Sequence, residues 1–243
     1  MTPAGRRRRA RAALDAVGGA VLLVPTIVAA PLLRRAYNRW GTTKGEDAAR
    51  LPGDALIPEP KLSHTRAISI AAPPAAVWRW LVQIGQGRGG LYSYDALENL
   101  IGCHIESVEQ IVPELQDLRV GDLVRLGPAR YPAFQVVELE PARSLVLLAV
   151  DPATHEPPPT PVGDARTTAT TWSWELRPTE QGRSTRLLTR QRLTFPGATS
   201  ILWHVLEPID FVMERRMLYG IKRRVERLQP VPAKRGRRQA VGT

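Results

Sequence analysis

The chain has 243 residues, 43% of them hydrophobic, and a single cysteine, Cys103. That is enough apolar material for one packed domain with appendages, and it excludes a disulfide framework within the chain. The formal net charge is +11, and it is unevenly placed. Residues 1–39 hold 8 Lys+Arg against 1 Asp+Glu, residues 212–243 hold 10 against 2, and residues 40–211 hold 16 against 20. A mildly acidic middle between basic ends argues against nucleic-acid binding, which usually spreads Arg and Lys over a folded face. Basic ends beside an apolar run point instead to an anionic membrane surface as partner.

The apolar run follows the arginines "RRRRAR" (6–11). Ala16 to Leu33 is 18 residues without a charge, just within the ~17–25 that span a bilayer as a helix. Arg34, Arg35 and Arg39 close it, and Tyr37 and Trp40 are expected at the lipid interface. A single membrane anchor is the favoured reading. A cleaved leader is disfavoured because Pro31 would follow the small-residue site. The remaining alternative is an apolar helix packed on the domain. The stronger N-terminal flank favours a domain outside the cell, whereas the basic tail and lone cysteine favour a cytoplasmic one. The organisation is thus a basic N-terminus with candidate anchor (1–39), a turn-rich linker lying over the domain (40–65), a domain (66–229) and a basic, disordered tail (230–243).

Within the domain, "TRAISIAA" alternates Ile68 and Ile70 as a strand does. Pro73 and Pro74 then open a helix with Val77, Trp80, Leu81 and Ile84 on one face, capped at Gly85. A second short helix starts near Asp95, with Asp95 as cap, Glu98 completing a capping box, and Gly102 as its stop. Strands follow in "GDLVRLG" and in "AFQVVELEPARSLVLLAV", a hairpin turning at residues 140–143. A Pro-rich loop (151–167) precedes "TTATTWSWELRP", with Trp172 and Trp174 on one face, and "STRLLTRQRLTF", with Arg186, Arg190 and Arg192 on one face. That arginine row reads as a solvated sheet face. The last element, Ile201–Leu228, reads as one or two helices with Leu206, Ile209, Met213, Met217, Ile221 and Leu228 at helical spacing, interrupted at Pro208.

Gly85, Gly87 and Gly90 form a formal G-x-G-x-x-G. A dinucleotide fingerprint needs a strand before the glycines, so that phosphate meets the N-terminus of the helix they open. Here a helix comes first, and the unit reads as a tight helix–loop–helix connection. His64, His104, His155 and His204 make no metal-ligand spacing with Cys103, and there is no nucleophile elbow. No metal, cofactor or catalytic constellation is expected.

Strand, two short helices, a run of antiparallel strands and a long closing helix make an α+β architecture. The order, with "ISIAAPPAAVWRWL", "VVELEPARSLVL", "TTWSWEL" and "TRLLTRQR", resembles the SRPBCC superfamily of START-like, helix-grip domains over about residues 40–228. The stretches "WGTTKGEDAARLPGD" and "GQGRGGLYSYDALENLIG" resemble an uncharacterised bacterial branch of it. The resemblance implies a curved sheet wrapped on the C-terminal helix with an apolar cavity between them, and a lipid or other small hydrophobic ligand in that cavity. It also implies, as the alternative, a polyketide cyclase-like or dehydratase-like enzyme. Candidate ligand contacts are Arg88, Tyr92 and Tyr94 beside the glycine loop, Trp172 and Trp174, Arg190 as a charged anchor, and Met213 on the closing helix. The sequence leaves the oligomeric state open.

Overall fold

The computed structural model describes residues 17–19, 21–23, 25–26, 29–163, 167–197 and 200–228. The arginine run at 6–11, the tail 230–243 and parts of the apolar stretch 16–33 lie outside them. The elements are α1 (Ala30–Asn38), β1 (Leu62–Ile70), α2 (Pro74–Leu81), α3 (Asp95–Leu100), β2 (Leu123–Arg125), β3 (Ala133–Glu140), β4 (Ser144–Val150), β5 (Ala169–Thr179), β6 (Ser184–Thr194) and α4 (Ser200–Arg227). All six strands form one antiparallel sheet in the order β1-β6-β5-β4-β3-β2. A bulge in β3 between Val136 and Glu138 shifts its register on β4, and a bulge of this kind bends the strand. With α4 laid across one face, this is the α+β helix-grip arrangement.

Register decides what faces α4. Pairing Arg66 with Thr189 and Thr189 with Trp174 puts these three in one row across the inner face. His64, Gln191 and Trp172 make the next row. Apolar residues continue the same face as Ile68, Ile70, Leu145, Leu147, Leu176 and Leu187, packed on α2 and on Leu218, Ile221 and Val225 of α4. The buried stripe of α4 is Val212, Met217, Leu218, Ile221 and Val225, whereas Leu206 and Leu228 are exposed. The helix runs unbroken through Pro208, so the interruption expected there does not occur. Gly220 lets α4 approach, because a Cβ at that position would lie 2.1 Å from the Tyr92 carbonyl oxygen.

The arginine row of β6 is not solvated. Residues 41–60 cover the outer face and take up its charges. Arg186 pairs with Glu46. Arg192 donates to the carbonyls of Ile57 (2.9 Å) and Pro58 (2.8 Å). Arg190 donates to Thr65 Oγ1 (2.8 Å), the carbonyls of Ala49 (2.8 Å) and Asp47 (2.7 Å), and Asp54 Oδ2 (2.7 Å). Buried carbonyls of an irregular segment need donors, and the five N–H groups of a guanidinium supply several at once. In the Pro-rich loop, Val162 is bound to the Leu56 carbonyl and packed with Ile57 and Ala169, on the side away from α4.

The segment just after the apolar N-terminal stretch is docked on the domain. Tyr37 is buried and stacks on Phe211 at 5.4 Å. Trp40 packs edge-on against Phe211 and Tyr219. Neither aromatic is free for a lipid interface. Among the described residues no helix is long and apolar enough to cross a membrane.

Arg190→Met should loosen residues 41–56 from the outer face and leave Asp54 without its main partner. Urea unfolding is expected to show a loss of about 3 kcal/mol, the usual size when one side of a buried ion pair is removed. A midpoint unchanged from that of the unaltered chain would rule this out.

Candidate functional site

At one end of the sheet–helix interface the packing is incomplete. A cavity of about 170 Å³ lies between α4 and the inner face. Its apolar wall is Leu91, Leu126, Phe134, Trp172, Met213 and Met217, and its polar lining is Ser93, Glu98, Gln191, Asp210 and Glu214. A larger hollow of about 420 Å³, among Tyr219, Lys222, Arg223, Glu226 and Arg227, lies along the C-terminal half of α4. Long, partly exposed side chains form that hollow, and no buried polar group converges on it.

The polar side of the cavity rests on a fully buried arginine. Arg66 Nη1 donates to Asp210 Oδ2 (2.7 Å) and Glu214 Oε2 (2.5 Å), and its Nε donates to the Tyr37 carbonyl (3.2 Å). Glu214 Oε1 also accepts from Trp172 Nε1 and Thr189 Oγ1, both at 3.0 Å. Gln191 Nε2 donates to Asp210 Oδ1 (3.1 Å). Asp210 and Glu214 stand four apart on α4, so both carboxylates project from one face. Burial works against the charge on Asp210, but Arg66 and His64 hold its pKa below the usual carboxylate range. Glu214 is raised by burial in spite of Arg66, with the Asp210 charge adding to the rise.

His64 Nε2 is 3.3 Å from Asp210 Oδ2 and 3.8 Å from Glu214 Oε2. Among the described residues these three could share a cation. The Arg66 guanidinium already bridges both carboxylates and serves as the resident positive charge. Burial and the neighbouring Arg66 push His64 down to about 3, leaving it neutral.

Glu98 enters the cavity from the other side. The chain following α3 clamps the helix: Asp95 accepts from the Ser107 amide (2.7 Å) and hydroxyl (2.6 Å), and Asn99 exchanges hydrogen bonds with Ile105. The expected capping box is therefore absent. The N-cap is Tyr94, without a side-chain cap. Glu98 is 5% exposed and its Oε2 has no partner. Burial, reinforced by the Asp95 charge, pushes its pKa up to about 8. At neutral pH it is an acid with its proton on.

Of the residues singled out in the sequence, Trp172 and Met213 line the cavity. Trp174 is fully buried beside Trp172, ring centroids 4.3 Å apart, and its Nε1 has no partner. Arg190 lies on the opposite face of the sheet, engaged as described above. Arg88 Nη2 donates to the carbonyls of Val82 (2.8 Å) and Leu115 (3.1 Å). Tyr92 donates to the Trp80 carbonyl (3.1 Å) under the Arg224 guanidinium, and Tyr94 is buried under Arg216. None of Trp174, Arg190, Arg88, Tyr92 and Tyr94 is among the lining residues. The glycine loop closes on itself: Gly85 and Gly90 exchange backbone hydrogen bonds at 2.9 and 3.0 Å, and Gly89 N–H goes to the Gln83 carbonyl. Glu98, Arg66, Asp210 and Glu214 escaped the sequence reading. The available signal was a pair of polar residues, His64 and Arg66, in phase with Ile68 and Ile70, and two carboxylates in phase with the apolar stripe of α4.

No family profile matches the chain, and no curated protein matches it. Solved structures with a similar course include protein MLL2253 from Mesorhizobium loti, at 18% identity over 69% of this chain and 100% of that one, TM-score 0.35. CalU16 from Micromonospora echinospora is similar at 16% identity, covering 68% and 84%, TM-score 0.30. DynU16 of the dynemicin biosynthetic locus is similar at 12% identity over 69% of this chain and 48% of its own length, TM-score 0.37. Similarities of this size speak neither to ligand nor to activity.

Glu98 and His64 have opposite effects on stability. The folded chain holds a proton on Glu98 more tightly than the unfolded chain between pH 4.5 and about 8. That contribution is full below pH 4.5 and lost as pH rises to 8. His64 binds its proton less tightly when folded, between about 3 and 6.5, so its contribution grows with pH over that range. Above pH 6.5 only the Glu98 trend remains of the two. The urea midpoint is expected to fall from pH 6.5 to 8.5, and Glu98→Gln to flatten that fall. An equal fall in both proteins would show that Glu98 carries no held proton.

Proposed function

We propose that this chain is a binding protein for a small, largely apolar molecule held between the sheet and α4. The observation that carries this reading is the cavity itself, an aromatic and thioether wall with a few convergent polar groups, the usual make-up of a small-molecule site. Its volume of about 170 Å³ is close to the ~150 Å³ of an apolar cavity that takes up benzene. The ligand class is therefore a ring with a short substituent rather than a diacyl lipid. Membership of the SRPBCC superfamily, and of its uncharacterised bacterial branch, belongs to the same proposal and is supported by the order of elements. The enzymatic alternative, a cyclase- or dehydratase-like activity, passes from Arg88, Tyr92 and Tyr94 to Glu98. A protonated acid sharing a cavity with the ionised Asp210 is an arrangement that acid–base chemistry uses. Carbonyl-substrate turnover that survives Glu98→Gln would count against it.

Benzene tests the cavity directly. At about 100-fold over its Kd it is expected to raise the melting temperature of the full chain by several degrees. Met213→Trp, which fills the space, should remove the shift. A Tm that does not respond to benzene, or a response unchanged in Met213→Trp, would refute this site.

Membrane apposition is the second part of the proposal. It is supported by exposed Val21, Leu22, Leu32 (88%) and Leu33 beside Arg35 and Arg39, and by the arginines at 6–9 and 11. An apolar strip among arginines suits an anionic lipid surface, with the apolar side chains in the interface and the charges at the headgroups. The full chain is expected to sediment with phosphatidylglycerol vesicles and not with phosphatidylcholine vesicles. A Leu32→Glu/Leu33→Glu variant should stay in the supernatant. Equal sedimentation with both lipids, or by the double variant, would remove the membrane from the reading.

A further inference from the structure

The charge on the cavity lining is one-sided. Three carboxyl groups, Glu98, Asp210 and Glu214, line it, and no lysine or arginine does. Arg66 lies behind Asp210 and Glu214 with its Nη1 already between them. On the Glu98 side no charge answers the carboxyl among the lining residues: Ser93 is its hydrogen-bonding neighbour, and Oε2 is buried without a partner. An unpaired polar atom in a buried site is costly, and here the cost is met by keeping the group protonated. A positive ligand would relieve it by taking the place of that proton. An anionic ligand would meet three carboxyl groups and no arginine or lysine in the lining; the unpaired Nη2 of Arg66 belongs to a residue outside it. The remaining walls also suit a cation. Trp172 and Phe134, with ring centroids 5.8 Å apart, offer π faces, which attract desolvated cations.

We infer that the cavity takes a small organic cation: an ammonium or methylated ammonium on an apolar body about the size of one ring, its charge against Glu98. This rests on the apolar-ligand reading above and names the charge that reading left open. Binding in this mode ionises Glu98 and expels its proton. Burial and Asp95 on the same helix set this titration, with the Ser93 hydroxyl working against them; the other titratable or charged groups around the cavity are Cys103, Asp210 and Glu214, with Arg66 behind the last two. Asp95 favours the proton on Glu98, and the Cys103 thiol is itself raised by burial and by Glu98.

The test uses three probes of one shape with the full chain: benzylamine, benzyl alcohol and benzoate, measured by calorimetry. Benzylamine is expected to bind at least tenfold more tightly than benzyl alcohol at pH 8, with benzoate weakest. Its affinity should rise about tenfold per pH unit from 6 to below 8, since one proton leaves as it binds, and the heat should differ between buffers of different ionisation enthalpy by one proton's worth. Benzyl alcohol should show neither effect. Glu98→Gln should erase the preference for the amine over the alcohol. The pH and buffer dependence of the unaltered chain provides the same test should that variant fold poorly. If the alcohol binds and the amine binds no better, or if benzoate binds best, the cation assignment is wrong and the apolar-ligand reading stands. If none of the three binds, both fall.

Discussion

Arg66 is the constraint on which the rest of the structure depends. Its side chain is wholly buried on the inner face of the edge strand β1, where an unpaired charge could not be kept. It must therefore find anions, and those available are Asp210 and Glu214 on an element 144 and 148 residues further along. Its Nε takes the Tyr37 carbonyl, so the same side chain also fixes where the N-terminal segment meets the domain. Glu207 repeats the tie one turn earlier on α4, accepting from Arg34 and Asn38. Buried ion pairs of this kind add little net stability compared with apolar packing, because desolvation offsets the attraction. What they do here is fix one alignment of α4 on the sheet. An apolar contact would tolerate sliding by a turn, and a guanidinium shared by two carboxylates would not.

That alignment divides the interface in two. Beyond Met217 the helix presents Leu218, Ile221 and Val225 to a dry core, and Gly220 brings its backbone against Tyr92. Before Met217 the same face carries Asp210 and Glu214, which cannot pack as leucines would. The space left between Met213 and the sheet is the cavity. Site and fold are thus one arrangement: the residues that fix the helix also deprive it of the side chains that would have filled the gap. Trp172 links the two halves, with its ring in the wall and its Nε1 on Glu214.

The architecture was legible in the sequence because it is written in local periods. Alternation marks β1, β5 and β6, the Glu-Pro turn marks the β3–β4 hairpin, and a 3.6-residue stripe marks α4. The helix–loop–helix order around the G-x-G-x-x-G was legible too, since a helix and not a strand precedes it. The site was less legible because its contacts are not local. Nothing in the neighbourhood of Arg66 says that its partners are on the last helix, and Glu98 reads as a capping residue until Ser107 is seen to hold Asp95. Arg88, Tyr92 and Tyr94 looked chemical for the converse reason. Polar groups beside glycines signal a site only when they are left free, and here tight turns bring backbone carbonyls within their reach. Pro208 misled through the same locality: a proline inside a helix costs about 3 kcal/mol, and the tertiary contacts along α4 outweigh that cost.

The sheet's arginines serve contacts within the fold. Those of β6 stand on the outer face, where residues 41–60 run without a strand partner and leave several carbonyls outside any ladder. A seventh strand would have satisfied those groups through its own ladder. Arg186, Arg190 and Arg192 do it instead, each spreading donors over carbonyls and the carboxylates of Glu46 and Asp54. Arg66 applies the same chemistry on the inner face, to the two carboxylates of α4 and the single carbonyl of Tyr37. The side chain is the same in both places. Within a regular helix such as α4 the carbonyls are already bonded, so the acceptors it offers Arg66 are side-chain carboxylates.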